Sequence, residues 1–211
     1  MLRKNIISID KANKKLTISP GLTISPGNIK TGRIPSVSLS KKTCGADVSC
    51  RKECYMNKRI KQFECVIRSY EKNTGIAYNS PDRYWNQLNR FLKNKSPAFF
   101  RFHIHGDIID DDYLIEMKNI ARDCPETKFL AFTKKYELCL NHRRIPKNLS
   151  IIFSAWPGYP LPKQSRFPIA FMQDGTENRV KNALECPGNC ETCGMCWHLK
   201  DLKKSVVFYK H

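Results

Sequence analysis

Apolar and polar positions along the chain fall into short alternating runs separated by helical stripes. Residues 34–40 alternate, with Val37 and Leu39 pointing one way and Ser36, Ser38 and Ser40 the other, the signature of a half-buried strand. Residues 61–72 place Phe63, Val66, Ile67 and Tyr70 on one helical face. Ser80 followed by Pro81 is a helix start, from which Tyr84, Leu88, Phe91 and Leu92 continue the stripe to about Asn94. Residues 98–105 alternate again, Phe100, Phe102 and Ile104 against Arg101, His103 and His105. The pattern then predicts a helix over 111–123, a strand over 128–133, a short helix near 136–141 and a strand over 149–155. Residues 156–162 are too rich in proline for a helix. A strand over 168–173, a short helix over 177–185 and a last strand over 206–210 complete the chain.

Strands that alternate with helices imply βα units and a parallel sheet. Right-handed crossovers would curl about six such units into a partial (β/α)6-type parallel barrel. Residues 16–27 repeat Leu-Thr-Ile-Ser-Pro-Gly in tandem. Each copy is a short β segment closed by a Pro-Gly turn. They predict an N-terminal β-hairpin from Lys14 to Gly27, outside the main sheet, with residues 1–33 as an appendage and 34–211 as the barrel. The strand ends, where βα barrels carry their sites, hold Cys44, Gly106, Asp107, Thr133, Trp156, Gln173 and Asp174. With Phe100, Phe102 and Ile104 under the helices, Arg101, His103 and His105 would line a polar lumen. Burying such groups without partners costs about 1–3 kcal/mol each, so the pattern calls for a ligand, water or a metal cluster there.

Cysteine changes the picture most. The chain has 211 residues and ten cysteines, and its N-terminus lacks a secretory apolar region. Free thiols in a reducing compartment are therefore expected rather than a disulfide framework. Cys44, Cys50 and Cys54 form C-x5-C-x3-C in the loop after the first barrel strand. Cys186, Cys190, Cys193 and Cys196 form C-x3-C-x2-C-x2-C within the segment 186–197. Closely spaced thiolates of this kind hold metals. Bacterial ferredoxins use similarly compact runs for a four-iron cluster, whereas structural zinc takes two separated pairs. Both metals stay open for the second set, with two [4Fe–4S] clusters as the leading expectation. Cys65 is a candidate fourth ligand of the first set, and Cys124 and Cys139 read as small core residues.

Net charge is +18, from 37 basic and 19 acidic residues. Two thiolate-bound clusters would lower it by roughly 1–2 charges each. The remaining excess favours a polyanionic partner such as a nucleic acid, or serves solubility. No apolar run reaches membrane-spanning length, so a cytoplasmic protein without a membrane partner is expected.

Three thiols in the loop after the first strand, with an aromatic, Tyr55, beside the last, resemble the radical S-adenosylmethionine (SAM) superfamily. His105-Gly106-Asp107 stands where that superfamily contacts the SAM amino group, and Thr133-Lys134 ends the third strand. The gaps are wider than its usual C-x3-C-x2-C. The resemblance implies a radical SAM-like core with a C-terminal cluster segment. It implies SAM contacts from Tyr55, Gly106, Asp107, Thr133 and Ser154, catalytic roles for Arg101, His103 and His105, and a reductant protein as partner. The loop Cys44-Gly45-Ala46-Asp47, the His105-Gly106-Asp107 strand end and the closing run from Cys190 to Trp197 resemble a family encoded by phages and mobile elements, gene product eighty-eight. That likeness implies a host-cytosol location and brings no reaction. The competing expectations are a non-enzymatic nucleic-acid-binding protein with structural or redox-sensing clusters, and a zinc-binding module.

Overall fold

The alternating runs assemble into one eight-stranded, mostly parallel sheet. The computed structural model describes residues 21–45, 48, 50, 54, 57, 64–163, 165–173 and 180–209. The strands are β1 (Ile24–Ser25), β2 (Ser36–Val37), β3 (Phe99–Phe102), β4 (Lys128–Thr133), β5 (Leu149–Ser154), β6 (Ile169–Gln173), β7 (Ala183–Glu185) and β8 (Ser205–Tyr209). Their order is β1-β2-β3-β4-β5-β6-β8-β7. Among the described strands, only the β1–β2 pair is antiparallel. The helices are α1 (Glu64–Asn79), α2 (Pro81–Lys95), α3 (Asp111–Asp123), α4 (Tyr136–Asn141), α5 (Cys190–Cys193) and α6 (Leu199–Leu202), with 3-10 turns at Lys41–Thr43 and Met195–Trp197. Among the described residues, no helix is long and apolar enough to cross a membrane.

Local chemistry sets these bounds. Pro81 opens α2, where its missing N–H costs nothing, and Ser96 closes it in the left-handed region at φ 39°. The Asp110 carboxylate accepts from Tyr113 N at 2.8 Å and caps α3.

Both faces of the sheet are covered, as a parallel sheet requires. On one face Val37, Leu39, Phe100, Phe102, Phe129, Ile151 and Phe153 pack under the helices, against Tyr84, Trp85, Leu88, Leu114, Met117 and Ile120. Cys124 and Cys139 belong to this core, as small apolar residues should. On the other face Leu130, Ile152, Ala170 and Val206, with Phe99 and Phe132, are covered by Trp197 and Leu199 and by Cys186, Cys190 and Cys196. The Trp197 indole Nε1 donates to Phe100 O at 3.3 Å, and Ser150 Oγ donates to Cys196 O at 3.1 Å. The four-cysteine segment is thus the second layer of the fold.

Three expectations change. The first half of the expected hairpin lies outside the described residues. Its second half does not stand apart: Ile24 and Ser25 pair with Val37 and Ser36 and extend the sheet. The helix expected over 177–185 lies partly outside the described residues. Its end, Ala183–Glu185, is instead a strand paired with β8, because the free edge of β8 offers backbone partners to a short apolar run. The strand expected to reach His105 ends at Phe102. His103 takes φ 49°, and that left-handed step breaks the alternation.

Asn73 on α1 locks the first two strands. It is 1% exposed, accepts from Thr23 N at 2.9 Å, and donates to Thr23 O at 2.8 Å and to Ser38 O at 3.0 Å. Asn73→Ala leaves buried backbone groups unpaired, which costs about 3 kcal/mol. Urea unfolding should show the midpoint falling while the slope stays unchanged.

Candidate functional site

The ends of β2 to β5 meet at the loop that carries the first thiol set. Ser40 is the link from β2: its N donates to Thr74 Oγ1 at 2.7 Å and its Oγ to Glu71 at 2.6 Å, both on α1. A 3-10 turn follows and delivers Cys44. Leu39 N donates to His105 O at 2.9 Å, which holds this segment against the chain leaving β3. Gly106, at φ 84°, makes that approach feasible, since a Cβ there would stand 2.7 Å from Leu39 O.

Asp107 is the hub. Its N donates to Thr43 Oγ1 at 2.8 Å. Its carboxylate accepts from Ile108 N at 2.7 Å, from Lys134 N at 2.9 Å and from the Thr133 hydroxyl. Burial pushes its carboxyl above the usual range, against the pull of those donors. Lys134 Nζ donates onward to Ser154 Oγ at 3.0 Å and lies 5.7 Å from the Trp156 ring centroid. Tyr136 OH donates to Ser154 O at 2.6 Å. Asp107, Thr133 and Ser154 therefore share one network, with Gly106 adjoining it; the sequence expected these four as one group. Thr43 and Tyr136 belong to it as well. Nothing but Thr43's place before Cys44 could have suggested the first, and Tyr136 read only as the start of a helix.

Cys44 sits at this hub. Burial first, then Asp107 and the neighbouring Cys50 and Cys54, push its thiol up to about 12, against the opposing charge of Lys134. Cys65 is half-buried on α1. Tyr55 and Asp47 lie outside the described residues, as does Asp174.

The C-terminal thiols are gathered too. Cys186, Cys190 and Cys196 pack together on the second face of the sheet. Burial and then the neighbouring thiols push Cys196 up to about 12, and burial raises Cys190 as well. Cys193 is close enough for its charge to act on Cys190 and Cys196, and it also lines an open groove of about 490 Å³ with Phe99, Met195, His198 and Leu202. Gly188 at φ 86° and Gly194 at φ 61° shape the turn. Glu191 accepts from Arg33 N at 3.1 Å and from Arg33 Nε at 2.7 Å, and Cys190 N donates to Lys30 O at 2.8 Å. These bonds tie the segment to the turn after β1.

Among the described residues, no group of three or more histidine, cysteine, aspartate or glutamate side chains is closed around a metal position. The donor chemistry nevertheless fits a thiolate-bound metal. Each set holds neighbouring thiols, and burial disfavours ionisation of Cys44 in the first and of Cys190 and Cys196 in the second, so a bound cation is what would draw those protons off.

The expected catalytic trio is not on one face. Arg101 stays on the second face, its guanidinium 4.9 Å from the Phe132 ring centroid. His103 and His105 turn to the helices. His103 Nε2 meets Tyr113 OH at 3.0 Å, and Tyr113 OH meets Tyr84 OH at 2.6 Å. His105 stacks on Tyr70 of α1, with centroids 5.2 Å apart, and its Nδ1 bonds Leu39 O at 2.9 Å. The left-handed step at His103 is the physical reason.

A family model described as Gene product 88 matches residues 5–157. The match covers the first thiol set and the strand-end hub and stops short of the C-terminal set. The chain is also similar to the Gene 88 protein of Mycobacterium phage L5, with 25% identity over 205 residues, covering 81% of this chain and 85% of that protein. No solved structure matches.

His103 generates a pH prediction. Burial first, then the Arg101 charge, lowers its pKa from 6.5 to about 3. A depressed histidine contributes stability that is present above its unfolded pKa and is lost as pH falls through the folded one. The wild type should therefore lose up to about 1.4 kcal/mol per pH unit between pH 6.5 and 3 from this residue. His103→Asn, which tolerates the left-handed backbone, should flatten the profile over that window in urea titrations. Parallel profiles for the two proteins would refute it.

Proposed function

The chain belongs to the gene product 88 family, and we propose that within it this protein is a two-centre iron–sulfur protein. Cys44, Cys50 and Cys54 would hold one [4Fe–4S] cluster, and Cys186, Cys190, Cys193 and Cys196 the other. The observation that carries this reading is the pairing of two separate thiol groups with the two places where the fold needs them. One stands at the strand-end hub and the other builds the second face of the sheet. Bound clusters supply one-electron chemistry.

The chain's own residues do the rest. Strands β2 to β6 follow one another in chain order, the arrangement a partial βα barrel would use, and this supports a radical SAM-like core. Thr43 and Asp107 fix the Cys44 loop on the ends of β3 and β4. Lys134 and Ser154 present a cation and a hydroxyl beside it, and with Gly106 and Thr133 they are the groups that would face SAM. Asp107 is occupied by Ile108 N, Lys134 N and Thr133, so it acts as a joint between these segments. A nucleic acid or a peptide is the substrate class, and the +18 charge favours the first.

Anaerobically purified protein should be brown and carry about seven to eight irons with matching sulfide, as two four-iron clusters require. Two zinc ions without sulfide would end the iron–sulfur reading. Cys50→Ala should remove one cluster and Cys65→Ala neither. SAM added to the reduced protein should perturb the EPR signal that Cys50→Ala abolishes. A spectrum indifferent to SAM would leave a cluster protein without SAM chemistry.

The basic charge carries its own test. Binding to single- and double-stranded nucleic acid should weaken by about 10³-fold or more between 50 and 200 mM salt if six or more phosphates are contacted. No binding at low salt would leave the charge to solubility.

A further inference from the structure

We propose that Arg101 is the built-in counter-cation of the C-terminal thiol centre rather than a group of the strand-end hub. The inference rests on the reading that Cys186, Cys190, Cys193 and Cys196 hold a thiolate-bound metal centre.

The placement is geometric. In the sheet register Arg101 stands between Ser36 of β2 and Leu130 of β4. Its guanidinium lies over Phe132. Leu130 and Phe132 belong to the same packed cluster as Cys186, Cys190 and Cys196. The hub residues Thr43, Asp107, Lys134 and Ser154 bond one another without Arg101.

The electrostatics are incomplete as they stand. Arg101 Nε is buried without a hydrogen-bond partner, and so is Ser36 Oγ beside it. Among the described residues, no carboxylate forms an ion pair with Arg101. A buried guanidinium N–H with no acceptor is costly unless one meets it. Acidic groups on which its charge acts are the thiols of Cys190 and Cys196. As neutral thiols they compensate nothing. As thiolates on a metal they form an anionic centre with sulfur acceptors, and the Arg101 Nε–H and the Ser36 hydroxyl are donors for it. Each side supplies what the other lacks.

The consequence is redox tuning. A fixed cation stabilises the more negative, reduced form of a cluster, and hydrogen bonds to sulfur act in the same direction. Removing it should lower the reduction potential of the C-terminal cluster alone.

The test is an EPR-monitored redox titration of anaerobically purified wild type, Arg101→Gln and Arg101→Lys. Cys193→Ser identifies the C-terminal signal by its loss. Arg101→Gln should make the reduced form of that cluster about tenfold less populated at fixed potential, a shift of about 59 mV for one electron. Arg101→Lys should shift it less, and the first-set signal should not move. An unmoved C-terminal signal, or a shift confined to the first set, would overturn the proposal. If Arg101→Gln loses iron, loss of the C-terminal cluster alone with unchanged circular dichroism supports the role, and loss of both clusters or of the fold overturns it. If the wild type carries zinc without sulfide, the iron–sulfur reading fails while this proposal is still decided. Arg101→Gln should then release one zinc to a chelator about tenfold faster, and equal release rates would overturn it. Metal-free wild type would overturn both.

Discussion

The buried carboxylate of Asp107 is the constraint on which the candidate site depends. It accepts from the backbone of the next residue, from Lys134 N and from the Thr133 hydroxyl, while its own N–H engages Thr43. One residue thereby joins the loop after β2, the end of β3 and the end of β4. Charged acceptors make the stronger hydrogen bonds, and burial removes competing water. Cys44 inherits its position from this joint, one residue after Thr43. Remove the carboxylate, and three chain segments lose their common anchor.

A second constraint comes from the sheet. Parallel strands need cover on both faces, and the chain supplies two kinds of cover. Amphipathic helices α1 to α4 shield Phe100, Phe102, Phe129 and Phe153. The opposite face is shielded by a short, cysteine-rich segment of single-turn helices, anchored by Trp197 and Leu199. A segment of that size is a weak cover by itself, since small units often need a metal or cross-link to hold their shape. The Arg33–Glu191 pair and the Cys190 N to Lys30 O bond fasten it to the turn after β1. The N-terminal and C-terminal parts of the chain thus close the same face together.

Much of this was legible in the sequence. The 3.6-residue stripes located α2, α3 and α4, because apolar residues at that spacing can be buried only as helices. Alternation located β3 and placed Phe100 and Phe102 under the helices, and short apolar runs located β4 and β5. The cysteine gaps marked both thiol groups, the ends of parallel strands marked Gly106, Asp107 and Thr133 as neighbours, and the superfamily resemblance added Ser154. These inferences rest on local periodicity and on the fact that parallel strands end on the same side.

Tertiary structure decided the rest. Whether Ile24–Ser25 formed a separate ribbon or joined the sheet depended on the free edge of β2, and Ala183–Glu185 became a strand because β8 offered an edge. Alternation put Arg101, His103 and His105 on one face, yet His103 turned through φ 49° to reach Tyr113, a partner on another element. The same turn left Arg101 alone beneath Phe132, near thiols about ninety residues further along the chain. Sequence determined which residues can form a strand, a helix or a thiolate set, since those depend on neighbours in the chain. It could not determine which buried polar groups find partners, because hydrogen bonds and charge pairing are settled by distances between segments that only folding brings together.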